Sequence, residues 1–274
     1  MEPALRASTD APPLATERRS WDAAVRPLVD GGDGRLWRRH SDAINGALVA
    51  RWLDPAMQAR VLKTDLFDEA MGVGLAPLLG TRACRVAAID IAPSVLRAAA
   101  TRYPDLDIVA ADVRRLPFAD ASFDAVVSNS TLDHFGARDD IRTALAGLNR
   151  VLRPGGRLVL TMDNLRHPGV ALRNAIPVSW LKLSGLVPYP IGATLGPRGL
   201  ARMVRDAGFD VVEMDALLHC PRALAVRRAR TLERGGNRAA QRRFLARLGR
   251  WERLARLPLR FVTGHYVGIL ARKP

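Results

Sequence analysis

Between residues 59 and 163 the chain alternates short apolar, β-branched runs with amphipathic helical ones, and this alternation restricts the fold more than any other feature. ARVLKT (59–64), CRVAAID (84–90), LDIVAAD (106–112), FDAVVSNS (123–130) and RLVLTMD (157–163) have the length and composition of strands. Between them, EAMGVGLAPLLG reads as a helix closed by Gly80, PSVLRAAATRYP as one with Pro93 in its first turn, and DDIRTALAGLNRVLRPGG as one ended by a Pro-Gly-Gly turn. Apolar strands joined through helices lie parallel with both faces covered, so the fold class is α/β, a doubly wound sheet. Right-handed crossovers then put a ligand crevice at the carboxyl ends of the strands. Those ends are polar throughout: Thr64 and Asp65, Asp90, Asp112, Ser128 to Ser130, and Asp163 with Asn164.

The flanks divide the rest. Residues 1–20 read as a disordered arm, 21–54 as an N-terminal helical cap, and 55–164 as the ligand-binding core. The pattern loosens over 165–197, where Ile176, Val178, Trp180, Leu181, Leu183 and Leu186 make an apolar insertion. It either walls a pocket as a lid or packs as a local subdomain. Residues 198–274 return to helix, strand and a final strand, HYVGILARK, around an arginine-rich helical insertion at about 221–260.

Charge is concentrated in that last part. Of a net +15, the stretch from Ala216 to Pro274 carries fourteen arginines and one lysine against only Glu233 and Glu252. A basic appendage on a nearly neutral body suits phosphate-bearing partners or an anionic membrane surface. With only three lysines in the chain, the arginine excess also has a purely compositional reading. Phe244, Leu248 and Trp251 recur at i, i+4, i+7 among arginines at 242, 243, 247, 250 and 253, an amphipathic stripe that can lie on a membrane or pack on its own domain. The most apolar window, 170–193, is broken by Arg173, Lys182, Pro177, Pro188 and Pro190, so no membrane crossing is expected. The N-terminus lacks an apolar block and reads as no signal peptide, and two cysteines make no disulfide framework; the expected setting is cytoplasmic, at most peripheral to a membrane. The five histidines are scattered without metal-ligand spacing, so no metal site is expected.

The run ADVRRLPFADASFDAVVSNSTLDHF, followed by LNRVLRPGGRLVLT, resembles the class I S-adenosylmethionine-dependent methyltransferases, and within them the "type 11" branch that includes quinone-biosynthesis enzymes. The likeness covers residues 55–165 and extends through AGFDVVE and the last strand. It implies a mostly parallel, seven-stranded Rossmann-like sheet whose last strand is an antiparallel hairpin partner at the edge. It also implies S-adenosylmethionine as cofactor. In that family frame Asp90 accepts hydrogen bonds from a ribose diol, Ile91 covers an adenine face, Asp112 accepts the adenine amino proton, Val113 offers its backbone N–H to the ring, and Ser128 stands beside the cofactor. Each acid alone also reads as a cap or turn residue; together, at successive strand ends, they favour the cofactor.

The first strand departs from the family. Lys63 stands in place of the usual acid, Thr64-Asp65-Leu66-Phe67 replaces the glycine turn, and Gly72-x-Gly74 comes too late to substitute for it. Adenosylmethionine has no phosphates and carries an ammonium and a sulfonium, which carboxylates suit. Asp65 or Glu69 is therefore expected to hold the methionine ammonium, with Asp68 as a helix cap; the alternative is a degenerate site that binds no cofactor and leaves a basic binding module.

Methyl transfer is an in-line displacement, with a general base where the acceptor is a hydroxyl. His134 after the fourth strand is the candidate base, or else a structural cap; Asp133 is placed to orient it, and Asp163 to hold a polar acceptor, with Asn164 and His167 behind it. His219 and His265 read as structural. The expected acceptor is a small hydrophobic, amphipathic or glycosylated molecule bearing a hydroxyl. Nucleic acid is disfavoured: the fourth strand ends in SNST, no aromatic stacking platform follows, and neither cysteine is placed to attack a base. Hydride transfer is disfavoured by the missing dinucleotide glycine fingerprint.

Overall fold

A computed structural model describes residues 12–31, 34–54, 59–176 and 192–274. Seven strands form one sheet: β1 (Ala59–Lys63), β2 (Ala83–Asp90), β3 (Asp107–Ala110), β4 (Phe123–Asn129), β5 (Leu152–Asp163), β6 (Asp210–Leu217) and β7 (Tyr266–Arg272). Their order is β3-β2-β1-β4-β5-β7-β6. The first five are parallel, and β7 runs antiparallel to both β5 and β6. The final strand is thus interior and β6 takes the edge, a correction to the expected placement. Strand order reverses at β1, which pairs with β2 on one side and β4 on the other, so a crevice opens above β1 and β4.

Helices cover both faces. Successive strand residues point to opposite sides, so Leu62 and Val126 face α6 (Arg138–Val151) and α8 (Pro197–Asp206), while Val61 and Val127 face the other layer. That second layer is built from α2 (Arg35–Trp52), α9 (Arg222–Arg234) and α10 (Arg238–Gly249). A third cluster joins α1 (Pro12–Gly31) through Val25 to α5 (Pro93–Arg102) through Val95 and Ala99. Residues 12–20, expected in a loose arm, are therefore the opening turns of α1. Asp22 fixes that helix: its Oδ1 accepts from the Ser94 amide at 2.7 Å, in the first turn of α5.

The helix expected over EAMGVGLAPLLG is two short ones, α3 (Phe67–Met71) and α4 (Ala76–Gly80), with Gly74 between them at φ +60°. Glu69 causes the break. Its Oε1 accepts from the amides of Leu75 (2.8 Å) and Ala76 (3.1 Å), and a Cβ on residue 74 would lie 2.4 Å from that oxygen. The basic insertion sits between β6 and β7 and holds α9, α10, a 3-10 turn (Arg250–Arg256) and α11 (Arg260–Thr263). In its apolar stripe Leu248 is buried and Phe244 half-buried against the chain's own core. Trp251 stays 41% exposed. Of the expected lid, Val178, Trp180, Leu181, Leu183 and Leu186 lie outside the described residues. No helix among the described residues is long and apolar enough to cross a membrane.

Candidate functional site

The loops at the carboxyl ends of the strands meet in a cavity of about 360 Å³, roofed by α1 and α2. Asp65, Asp90, Ile91, Asp112, Val113, Asp133, His134 and Asp163 all line it. Glu69 and Ser128, expected at the cofactor, do not reach its wall. Ser128 is fully buried, with its Oγ accepting from Thr64 Oγ1 at 3.0 Å, and Glu69 is fully buried beside Lys63.

Lys63 explains the unusual first loop. Its ammonium is wholly buried, 2.9 Å from Glu69 Oε2 and 3.4 Å from Asp65 Oδ2, and it donates to the Asp65 carbonyl at 2.5 Å. Burial would strip the charge from this lysine, but the surrounding Asp65, Glu69 and Asp68 outweigh it and hold Lys63 charged. The turn after β1 is built around a buried cation. Gly74 belongs to the same device, because it leaves room for the Glu69 carboxylate. Asp65 is pushed up to about 7, chiefly by burial; Lys63 opposes the shift, and Asp68, Glu69 and Asp90 add to it.

The other acids are anchored to backbone or arginine. Asp90 accepts from the amides of Leu66 (3.0 Å) and Ala92 (2.8 Å); burial raises it, and these donors with Lys63 pull it back. A carboxylate has about four acceptor sites, so Asp90 keeps acceptor capacity beyond these amides. Asp112 is gripped by Arg114, whose Nε lies 3.1 and 3.0 Å from its two oxygens and whose Nη2 also pairs with Glu17 of α1. Asp68 caps nothing in its own helix: it pairs with Arg38 of α2 and accepts from Asn129 Nδ2 at 3.0 Å. Beside it, Asp42 accepts from the Gly74 amide and is pushed up to about 7 by burial and by the Asp68 charge.

The opposite end of the cavity is arranged around Asp133, His134 and Asp163. The positive φ of Ser130 (+51°) turns the chain sharply out of β4. Asp133 Oδ2 then accepts from Ser130 Oγ (3.0 Å) and from the Asp163 amide (2.9 Å), tying the ends of β4 and β5 together. Its hydrogen bonds therefore position the strands, whereas the sequence had suggested the histidine. Asp133 Oδ1 is buried with no hydrogen-bond partner among the described residues, and burial raises the carboxyl. His134 lines the cavity, edge-on to Trp21 of α1 at 4.9 Å between ring centroids.

Asp163 carries more than its sequence role. Arg173 Nη2 donates to it at 2.7 Å from α7 (Pro168–Ala175), and His265 Nε2 lies 3.3 Å away. Burial would raise Asp163, but the His265 contact and the charges of Arg173 and Arg222 hold it well below the usual carboxylate range. His265 is pushed down to about 4, first by burial and then by Arg222, against the attraction of Asp163. Asn164, by contrast, faces away, donating to the carbonyls of Phe261 (2.7 Å) and Gly264 (2.8 Å). His167 caps α7 by accepting from the Val170 amide, and His219 bonds Thr263 and the Ala216 carbonyl. Both are structural in this arrangement.

Sequence reasoning missed the arginines and tryptophans. Trp21, Trp37, Arg38, Arg114, Arg173, Arg222 and Tyr266 all line the cavity. Only Arg114, two residues from a strand-end acid, had a local signal; the others arrive from separate elements.

Comparison with known proteins fits this geometry. Residues 67–160 match the family model described as "Methyltransferase domain". Over 146 residues the chain is 38% identical to the demethylmenaquinone methyltransferase of Beutenbergia cavernae, an overlap covering 52% of each. The chain thus spans about half the length of that curated relative. With the demethylmenaquinone methyltransferase of Thermus thermophilus it shares 32% identity over 211 residues, 70% of this chain and 88% of the relative. Among solved structures, the [4+2]-cyclase SpnF superposes with a TM-score of 0.65 at 20% identity, covering 98% of this chain and 99% of the other. An S-adenosylmethionine-dependent methyltransferase of Mesorhizobium loti superposes with a TM-score of 0.54 at 16% identity, over 83% and 96%. These structural likenesses bear on the fold alone.

Proposed function

This chain belongs to the class I S-adenosylmethionine-dependent methyltransferases, in the quinone-biosynthesis-like branch, and on that premise we propose that it methylates a small, apolar, hydroxyl-bearing acceptor. One observation carries the reading: the acids ending three successive parallel strands, Asp65, Asp90 and Asp112, line one cavity with His134 at its far side. The family's cofactor fits these residues. Asp65 offers a carboxylate to an ammonium, Asp90 has acceptor capacity left for a diol, Ile91 supplies an apolar wall, and Val113 borders the Asp112 end. When bound, S-adenosylmethionine supplies an electrophilic methyl group on a sulfonium.

The residues of this chain do the rest by position. Lys63 and Glu69 set the Asp65 turn, and α1 with α2 screen the cavity from water. His134 takes the hydroxyl proton of the acceptor onto its imidazole. Asp133 ties the His134 loop to β5 through the Asp163 amide, and Asp163 with Arg173 holds the polar end of the acceptor. On this reading the acceptor oxygen, freed of its proton, would be the atom methylated as the cofactor's carbon–sulfur bond breaks and S-adenosylhomocysteine leaves. A second reading, methylation at a ring carbon conjugated to that oxygen, is favoured by the demethylmenaquinone methyltransferase relatives, and the same proton removal by His134 serves it.

Titration calorimetry with S-adenosylmethionine and S-adenosylhomocysteine tests the core of this. Wild type is expected to bind both, and Asp90→Ala to bind neither measurably. A wild type that binds neither compound would refute the enzyme reading and leave a cofactor-free module. Unchanged affinity in Asp90→Ala would refute the ribose placement.

A further inference from the structure

The insertion between β6 and β7 presents a face to solvent that its own packing does not account for. Ala225, Ala229 and Leu248 bury against the α2 layer. Outside them Arg242, Arg243, Arg247, Arg250, Arg253 and Arg256 are all exposed. Among these arginines, Trp251 is 41%, Leu257 47% and Leu259 65% exposed. The three fall within nine residues wound into successive turns, with the Leu257 amide donating to Leu254, Arg260 to Leu257 and Val262 to Leu259. The acids of the insertion do not offset its charge from outside, because both are turned onto backbone amides. Glu233 accepts from Gly34 and Leu36 at the start of α2, and Glu252 from Leu218 and His219.

We propose that this segment, Trp251 to Leu259 with the arginines around it, is an interfacial anchor for an anionic lipid bilayer. Indole and leucine side chains enter the headgroup boundary while guanidinium groups pair with lipid phosphates; that combination is what a monotopic anchor requires. A nucleic acid would answer the charge but not the leucines, which neither pair with phosphate nor stack on bases. The position fits a role in acceptor delivery. Arg222, in the first turn of the insertion, and Tyr266, just past its end, line the cavity, and the Phe261 carbonyl, two residues past Leu259, is held by Asn164 beside Asp163. The anchor thereby sets the acceptor end of the cavity near the lipid surface.

Vesicle sedimentation of the full chain tests this without cofactor or methyl transfer, so it stands or falls separately from the proposed reaction. Phosphatidylcholine vesicles with phosphatidylglycerol are expected to carry the protein down, and vesicles of phosphatidylcholine alone are not. Trp251→Ser/Leu257→Ser/Leu259→Ser leaves the charge intact and should weaken binding about tenfold or more, with the melting temperature unchanged. The fluorescence blue shift on binding should disappear in Trp251→Phe. Failure of the wild type to sediment with anionic vesicles overturns the proposal, as does a triple variant that binds like the wild type. A short DNA duplex bound equally by wild type and triple variant, together with undiminished vesicle binding by that variant, would assign the face to polyanions in general.

Discussion

Replacing Lys63 by methionine removes a buried charge while keeping most of the apolar stem. In the wild type the ammonium lies 2.9 Å from Glu69 Oε2 and donates to the Asp65 carbonyl at 2.5 Å, with no solvent exposure at Lys63 or Glu69. Breaking a buried pair from one side costs about 3–5 kcal/mol, because the remaining charge is left in a medium that cannot solvate it. Glu69 keeps its two amide donors from Leu75 and Ala76, which places the expected loss at the lower end, about 3 kcal/mol. For a chain of this size that is a fall of about 5 °C in melting temperature. Urea unfolding followed by circular dichroism measures the loss of stability, and a thermal scan the fall in melting temperature. Lys63→Met/Glu69→Gln removes both charges and should recover a large part of the loss. A single variant within about 0.5 kcal/mol of wild type, or a double variant less stable than the single one, would refute the claim that this pair holds the turn.

Two further outcomes concern the site. Cofactor affinity should rise with pH through about 7, because the Asp65 carboxylate, raised to that value by burial, must be ionised to hold an ammonium. Below that pH, affinity should fall by up to about tenfold per unit, and Asp65→Asn should flatten the calorimetric profile. Stability carries the opposite sign for this group: the folded state keeps a proton that the unfolded chain has lost, so stability declines from about pH 4 to about 7. His134→Gln should lower kcat by about 10² to 10⁴ while leaving the dissociation constant of S-adenosylhomocysteine within about twofold; equal loss in both would make His134 a wall residue and not the base.

The sheet was legible because each of its causes is local. Strands such as FDAVVSNS and RLVLTMD carry their own composition, and a parallel sheet obliges their carboxyl ends to converge, so Asp90, Asp112 and Asp163 could be placed in one crevice from the sequence. What could not be read depends on distant partners. Asp163 looked like a lone strand-end acid. Its low protonation tendency comes from His265 just before β7, from Arg173, ten residues on, and from Arg222 at the start of α9, partners that its own strand does not reveal. The roof of the cavity was missed for the same reason, since Trp21 and Glu17 acquire a role only when Asp22 pins α1 to the start of α5.

The first loop shows the difference most sharply. Read alone, Lys63-Thr64-Asp65 is a damaged glycine motif, and Glu69 is one more acid available to the cofactor. With Glu69 folded back to the ammonium, Lys63, Glu69 and Gly74 form one unit: a cation, its counter-ion, and the glycine that makes space for the carboxylate. A glycine turn admits a cofactor by having no side chains. Here the turn is held by a buried ion pair, and Asp65 is left at the cavity wall with its charge tuned by Lys63 beneath it. On the proposed reading, the side chain that removes close backbone approach is also the carboxylate that meets the cofactor's ammonium.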